Sequence, residues 1–592
     1  MVTATTERAC DVAIVGGGPA GSTIACLLKK YKPALDVLIV EKESFPREHV
    51  GESQLPAIGV VLHEMGVWDK VEAAGFPVKL GASLTWGRDK ERWDFDFYPV
   101  EEFKDEPRPA RFEGQRTRTA FQVERSIYDK ILLDHAREMG TAVLEETAVR
   151  EVLKTGDRVD GMHLSDGSTV RARHYVDASG AIALLRRAMG VESEAPKALR
   201  NVAFWSYWDN VKWAVEIGVG GTRVQVRSLP YGWIWFIPLS ATRASVGLIC
   251  PAEYYKQSGL KPAEIYHKAL AEQQEISELM ASSEQTDEVR STKDWSHVAD
   301  RVVGENWYVC GEAAGFADPI LAAGMTLAHT SARELAYTIL EMEREEYNES
   351  WLASSYDRKT RRNITQHIRF AQYWYASNGN FTDLQEHCQA IAEEAGLELT
   401  PQDAWRWLAQ GGFTNQTLHS ANLGSFDLGT ARQIVGKFGD AELDLASETF
   451  TFMDANTLVL DLEGATEERV AEYDSGRVKP IDCFTRNGKV LPKTGAYAVL
   501  VSMLRQSDDA NQIFGYLQNH LRTNHTPADA KRYMNESVQA MEVMVVDGWV
   551  KAKVDPDRPM PQWSLGTNRQ LRSTEEGLRA YEASRGASTT AG

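Results

Sequence analysis

The sequence predicts an α/β protein. Three observations carry that prediction. Residues 11–15 form a short apolar run that feeds a glycine-rich turn, a helical pattern and a second apolar run ending in an acid. Residues 307–310 lead in the same way into a Gly/Ala-rich turn, followed by a helical pattern at 324–342. Between them lie strand-like runs at 202–208, 224–226, 232–237 and 244–249, rich in β-branched and aromatic residues.

Each element has a local reason. Helix 22–30 puts Ile24, Ala25, Leu27 and Leu28 on one side, and strand 36–40 ends at Glu41, completing a βαβ-type unit of about thirty residues. Helix 128–139 carries Ile131, Leu132 and Leu133 as a buried stripe. Strands at 142–152 and 161–164 are bounded by the turn signals Thr155-Gly156-Asp157 and Asp166-Gly167. The central strands form the wall of a second, β-rich domain. Past about residue 343, charged helical segments alternate with loops, and 497–504 has the length of a core element. Residues 584–592 are small and polar, as in a disordered tail.

Composition narrows the function. The 592 residues are 43% hydrophobic and 25% charged, ordinary globular values. Lys and Arg number 65 against 84 Asp and Glu, giving a net charge of −19. That balance argues against nucleic acid and anionic membrane as partners. No apolar run reaches the roughly 18 residues of a membrane span, and residues 1–10 lack a secretory h-region. Six scattered cysteines without a C-x-x-C pair read as reduced thiols of a cytoplasmic protein, with no metal site.

Gly16-x-Gly18-x-x-Gly21 lies between a strand and a helix, the context in which this motif binds a dinucleotide. Gly16 permits the tight turn, Gly18 lets the backbone approach a pyrophosphate, and Gly21 allows close helix–strand packing. The helix N-terminus adds amide donors. Glu41, twenty residues after Gly21, stands where a carboxylate takes the adenosine ribose. The motif alone leaves FAD and NAD open.

A second site separates them. Cys310-Gly311-Glu312-Ala313-Ala314-Gly315 resembles the late G-D motif of glutathione-reductase-type FAD proteins, with Glu312 in place of the usual Asp. Tyr175-Val176-Asp177-Ala178-Ser179-Gly180 resembles the strand and turn beside the flavin, and Arg125 in Gln122-x-x-Arg125-x-x-x-Asp129 matches an FAD-supporting arginine. Trp233-Ile234-Trp235-Phe236-Ile237-Pro238 fits W-x-W-x-I-P. Phe45-Pro46-Arg47, Gly51-Glu52-Ser53, Lys79 in Pro77-Val78-Lys79-Leu80, and the segment from Asp318 to Met325 accompany it. Together these strings resemble the FADH2-dependent halogenases over about the first 370 residues.

That resemblance implies a glutathione-reductase-type, Rossmann-like FAD domain (about 1–80, 115–185 and 295–345). A substrate sheet (about 80–115 and 186–295) and a mainly helical C-terminal extension (371–592) complete it. The cofactors are FAD, used as FADH2, and chloride or bromide. A separate NAD(P)H-dependent flavin reductase supplies the reduced flavin. The flavin contacts are Gly16, Gly17, Gly18, Ala20, Gly21, Glu41, Arg47, Ser53, Arg125, Gly311, Glu312 and Met325. Ala323 and Gly324 hold the halide by backbone amides where the family often has serines. Lys79 is catalytic, polarising hypohalous acid or carrying the halogen as a chloramine. Trp233 and Trp235 gate the flavin from the substrate.

Leu321 stands where indole-acting members carry glutamate, which points to a phenolic, pyrrolic or carrier-tethered substrate. His49 and His297 are available as bases. The clusters Phe204-Trp205-Ser206-Tyr207-Trp208 and Phe370-x-x-Tyr373-Trp374-Tyr375 are candidate pocket walls. Two other readings share the glycine motifs: a flavin monooxygenase or geranylgeranyl-reductase-like enzyme, and a non-catalytic FAD-binding protein.

Overall fold

The computed structural model describes residues 7–86, 92–196, 199–212, 221–293, 295–377, 450–486, 489–561 and 571–573. They fall in two units, one of 1–372, 473–478 and 572–592, the other of 373–472 and 479–571. The elements that build the site are, in chain order, β1 (Glu7–Val15), α1 (Pro19–Tyr31), β2 (Val37–Val40), β3 (Val78–Thr85), α2 (Arg125–Glu138) and β4 (Thr169–Asp177). They continue with β5 (Asn201–Asp209), β6 (Gly221–Leu229), β7 (Gly232–Pro238), β8 (Ala244–Pro251), β9 (Trp307–Val309), α3 (Gly324–Met342) and α4 (Glu349–Ser377).

Both faces of a parallel sheet are covered, so its strands are continuously apolar. β2 is buried at all four positions, and β1 at Val12–Val15. β1 pairs in parallel with β2 (Val12↔Val37) and with β4 (Ala13↔Tyr175). Strand Ala142–Leu144 extends the sheet beyond β2, and β9 pairs in parallel with β4. α1 opens with Pro19 in its first turn, where the missing N–H costs nothing, and packs against α3. The strand expected over 142–152 is two strands, Ala142–Leu144 and Val149–Thr155. Glu146 between them takes a left-handed conformation at φ 53°.

The second sheet runs β5–β8–β7–β6–β3, with Arg92–Asp96 beyond β3. One face packs Phe204, Ile234, Phe236, Val246 and Leu248 against Tyr266 and Leu270 of helix Pro262–Glu272. The other face carries the site, and a bulge decides what stands on it. β3 and β6 pair in parallel as Lys79↔Thr222 and then Gly81↔Arg223, so Leu80 is an extra residue. Lys79 therefore lies on the face of Thr222, Val224 and Val226, which is also the face of Trp233 and Trp235 through Val226↔Trp235.

In the second unit a run of strands is followed by three helices and a returning strand. Gly495–Leu504, Ala510–Asn524 and Pro527–Val546 are helical. Thr457–Leu460 pairs with Val550–Lys553, and Arg477–Arg486 with Lys489–Pro492. The core gathers Phe452, Leu458, Leu500, Leu517, Met541 and Trp549. Strands thus join the helices of this region. The tail at 584–592 lies outside the described residues. The described cysteines, Cys10, Cys26, Cys250, Cys310 and Cys483, are free, and no described helix is long and apolar enough to cross a membrane.

Candidate functional site

β1 ends in a turn that only glycine fits. Gly16 has φ +105°, and a Cβ there would lie 2.4 Å from the Ala178 carbonyl oxygen. A Cβ on Gly21 would lie 2.0 Å from Gly16 O. At Gly18 the neighbour is Arg47 Nη2, 3.2 Å from the Cβ position. Glu41 fastens the loop: Oε2 accepts the Gly17 N–H (2.7 Å) and Oε1 the Glu43 N–H (2.9 Å). Each oxygen keeps a second lone pair for a ribose. Gly311 (φ +62°) approaches Ala20, whose methyl would sit 3.1 Å from a Cβ, and its N–H donates to Ser331 Oγ at 3.0 Å.

The neighbouring polar groups are held from behind. Arg125 donates Nε to Asp129 Oδ1 (2.7 Å) and Nη2 to Oδ2 (2.8 Å), and its Nη1 reaches Val50 O at 3.0 Å and Gly51 O at 3.3 Å. Arg125 thus pins the 50–53 loop to the start of α2. Asp177 is buried, which raises its carboxyl, and accepts the Ser179 hydroxyl (2.6 Å) and the Arg186 N–H (3.0 Å). Burial also raises the carboxyl of Glu312, whose Oε2 is 3.8 Å from the Cβ position of Gly180. Arg47 Nη1 and Ser53 Oγ are buried without hydrogen bonds. A glycine cradle with no room for side chains and a ribose-ready acid fit a bound FAD. Glycines 16, 17, 18 and 21, Glu41, Arg47 and Glu312 would hold it.

Lys79 stands on the adjoining sheet face, 2% exposed. Nζ donates to Gln54 O at 2.8 Å and lies 5.3 Å from the Phe97 ring centroid. Burial pulls its pKa down to about 7. The sequence-predicted gate lies on the same face. Trp233 meets Trp86 edge-on at 6.3 Å and Trp235 at 6.1 Å. Trp235 covers Gly247, where a Cβ would lie 2.2 Å from its ring, and donates Nε1 to Ser245 Oγ at 3.2 Å.

Ala323 caps the 19-residue α3, just after Ala322 in a left-handed turn at φ 53°. Gly324 is needed there, because a Cβ would lie 2.6 Å from the Phe316 ring. Met325 is buried in the first turn, beside Thr326, whose buried Oγ1 makes no hydrogen bond.

Other expectations divide. Of the first aromatic cluster, Trp205 shares the Trp235 face through Gly247, and Tyr207 donates to Glu52 Oε1 at 2.9 Å. Phe204 and Trp208 turn to the opposite core, Trp208 donating to Tyr266 OH at 2.8 Å. The side chains of Leu321, Phe370, Tyr373 and Trp374 lie outside the described residues. His49 Nδ1 contacts Val50 O at 2.6 Å, and His297 Nδ1 contacts Trp295 O at 3.0 Å.

The FAD binding domain family matches residues 9–371. The chain is also 34% identical over 387 residues to the 1H-pyrrole-2-carbonyl-[peptidyl-carrier protein] chlorinase of Pseudomonas fluorescens, covering 63% of this chain and 85% of that one. The chain belongs to the flavin-dependent halogenases of the FAD-binding family. This halogenase is 33% identical over 329 residues to tryptophan 2-halogenase of Chondromyces crocatus, covering 54% and 59% of the two chains. It shares its fold with the flavin-dependent halogenase CmlS (TM-score 0.69, 24% identity, 95% and 99% covered). The myxobacterial chondrochloren halogenase CndH is 26% identical with a TM-score of 0.58, covering 74% and 99%. FAD and halide are the cofactors of the present halogenase.

Three residues at the site escaped the sequence reading. Glu52 and Gln122 stand in the Gly51-Glu52-Ser53 and Gln122-x-x-Arg125 motifs, which assign them no role. Tyr207 looked like wall material and instead fastens Glu52, whose carboxyl burial raises.

Proposed function

We propose that this halogenase chlorinates or brominates an electron-rich ring, phenolic or pyrrolic, presented on a carrier protein, with Lys79 as the catalytic residue. The observation that carries the reading is a fully buried lysine with one hydrogen bond to a backbone carbonyl, Gln54 O, on the face that bears Trp233 and Trp235. FAD held here, once reduced by a separate flavin reductase, would supply the two electrons that turn oxygen and halide into hypohalous acid. The chain's own residues do the rest. Amides of Ala323 and Gly324 at the N-terminus of α3 concentrate halide, with the Thr326 hydroxyl standing in for the family's serines. The indoles of Trp233 and Trp235 wall the ring off from the flavin.

The Lys79 ammonium keeps two protons beyond the Gln54 bond and donates to the oxidant's oxygen. The ring carbon then bonds to halogen as the halogen–oxygen bond breaks. The departing hydroxide takes up the ring proton and leaves as water. The carrier assignment rests on the 34% identical relative, which acts on a carrier-bound pyrrole. It is tested with one pyrrole-2-carbonyl group offered both on a carrier protein and as the free acid, with reductase, FAD, NADH and bromide. Bromination of the carrier-bound form alone is expected. Preference for the free acid would overturn the carrier assignment.

A further inference from the structure

Three short stretches meet at Lys79. Ser53 bridges Gln122 in antiparallel fashion, and Lys79 pairs with Ala120 on the far side of the same stretch. Backbone bonds lock the arrangement: Gln54 N–H donates to Phe121 O (3.0 Å), Gln122 N–H to Pro77 O (2.9 Å) and Val123 N–H to Glu52 O (2.8 Å). Directly paired residues share a face, and so do residues two apart along a strand. Ser53, Gln122, Ala120 and Lys79 are therefore on one face. The Lys79 ammonium ends on the carbonyl of Gln54, the residue after Ser53.

The polar groups on that face are unmet. Gln122 is 0% exposed, and neither its Nε2 nor its Oε1 has a hydrogen-bond partner. Ser53 Oγ, 7% exposed, has none either. A buried amide with both ends free and a buried hydroxyl beside it call for a ligand. The ligand's chemistry follows from the set. A halide would meet the Gln122 carbonyl oxygen with repulsion, because an anion takes donors only. A small neutral molecule with one O–H and one accepting oxygen satisfies both ends of the amide, and hypohalous acid is such a molecule. We propose that Gln122, with Ser53, holds hypohalous acid against Lys79. This role rests on the halogenase reading of Lys79. Gln122 acts on the oxidant's position and Lys79 on its reactivity.

The test is Gln122→Met, which keeps volume and removes both hydrogen bonds, beside Gln122→Asn, which keeps the amide and withdraws it by one methylene. Full-length enzymes are assayed with reductase, FAD, NADH and bromide, on the substrate that wild type brominates. Three quantities are read: bound FAD per chain, brominated product per NADH consumed, and free hypobromous acid trapped by monochlorodimedone. Both variants are expected to retain FAD. Product per NADH falls roughly tenfold in Gln122→Met, less in Gln122→Asn, and trapped oxidant rises to match. Unchanged coupling in Gln122→Met would overturn the proposal and leave a bridging water at the site. Loss of FAD in both variants would also overturn it, making the pair a flavin contact. A wild type that consumes NADH and never brominates would instead sink the parent reading of Lys79.

Discussion

Burying Lys79 is costly to the fold, and the cost has a pH signature. Burial holds its pKa at about 7 in the folded protein, against 10.5 for a solvent-exposed lysine. Between those values the unfolded chain carries one more proton than the folded one, so this residue makes stability rise with pH across that window. Lys79→Met is therefore expected to raise Tm above wild type near pH 7, with the gap closing as pH approaches 10. Thermal melts of both proteins across that range check it, and a gap independent of pH would contradict the burial argument. The glycines of the first turn were legible in the sequence because each has one local cause: a positive φ at Gly16, a carbonyl against Gly21. The face of Lys79 was not legible. Alternation from Ala82 back along β3 puts Leu80, and not Lys79, on the Trp235 face. Only the bulge against Arg223, a tertiary feature, reverses it.

At the scale of elements, the indole wall on the sheet face of Lys79 depends on one residue without a side chain. Gly247 in β8 lies under the Trp235 indole, and a methyl there would sit 2.2–2.5 Å from three ring atoms. Gly247→Ala is expected to cost about 1–3 kcal/mol, as overpacking of a fitted core does. The second change Trp235→Ala in the same chain should recover most of that cost. Denaturant titrations of the two single variants and the double variant measure the coupling. Additive losses would show that the indole does not rest on Gly247. The W-x-W spacing foretold two indoles on one face, but the cross-strand glycine under Trp235 lies 12 residues further along and is invisible to a local pattern. The same limit hid the strands of the second unit. Thr466–Asp474 is mostly exposed and charged, so its alternation carries little apolar signal.

The chain does not divide at a single point along its length. Residues 473–478 return from the C-terminal region to the first unit. There the Val478 N–H donates to the buried Glu341 Oε1 at 3.1 Å, and Arg477 Nε lies 2.6 Å from the same oxygen. Arg344 adds a contact at 3.0 Å. Arg477→Ala is expected to lower Tm by several degrees, because a fully buried carboxylate loses a charged partner. Adding Glu341→Gln should restore part of the loss. Equal Tm values for wild type and Arg477→Ala would show that the returning segment does not stabilise the first unit. The acidic total of −19 and the two nucleotide turns were legible at this scale, whereas the return of 473–478 was not, since Tyr473 to Val478 carries no motif.

The central claim is that Lys79 activates a flavin-generated oxidant, by hydrogen bonding, for halogen transfer to an organic ring. The most direct test is mass spectrometry of products from wild type and Lys79→Ala, each with FAD, reductase, NADH, oxygen and bromide. Carrier-bound and free phenols and pyrroles are the substrates. A one-to-one bromine isotope doublet from wild type alone, with flavin oxidation continuing in Lys79→Ala, is the expected result. Hydroxylated product without bromine, or bromination undiminished in Lys79→Ala, would contradict the account.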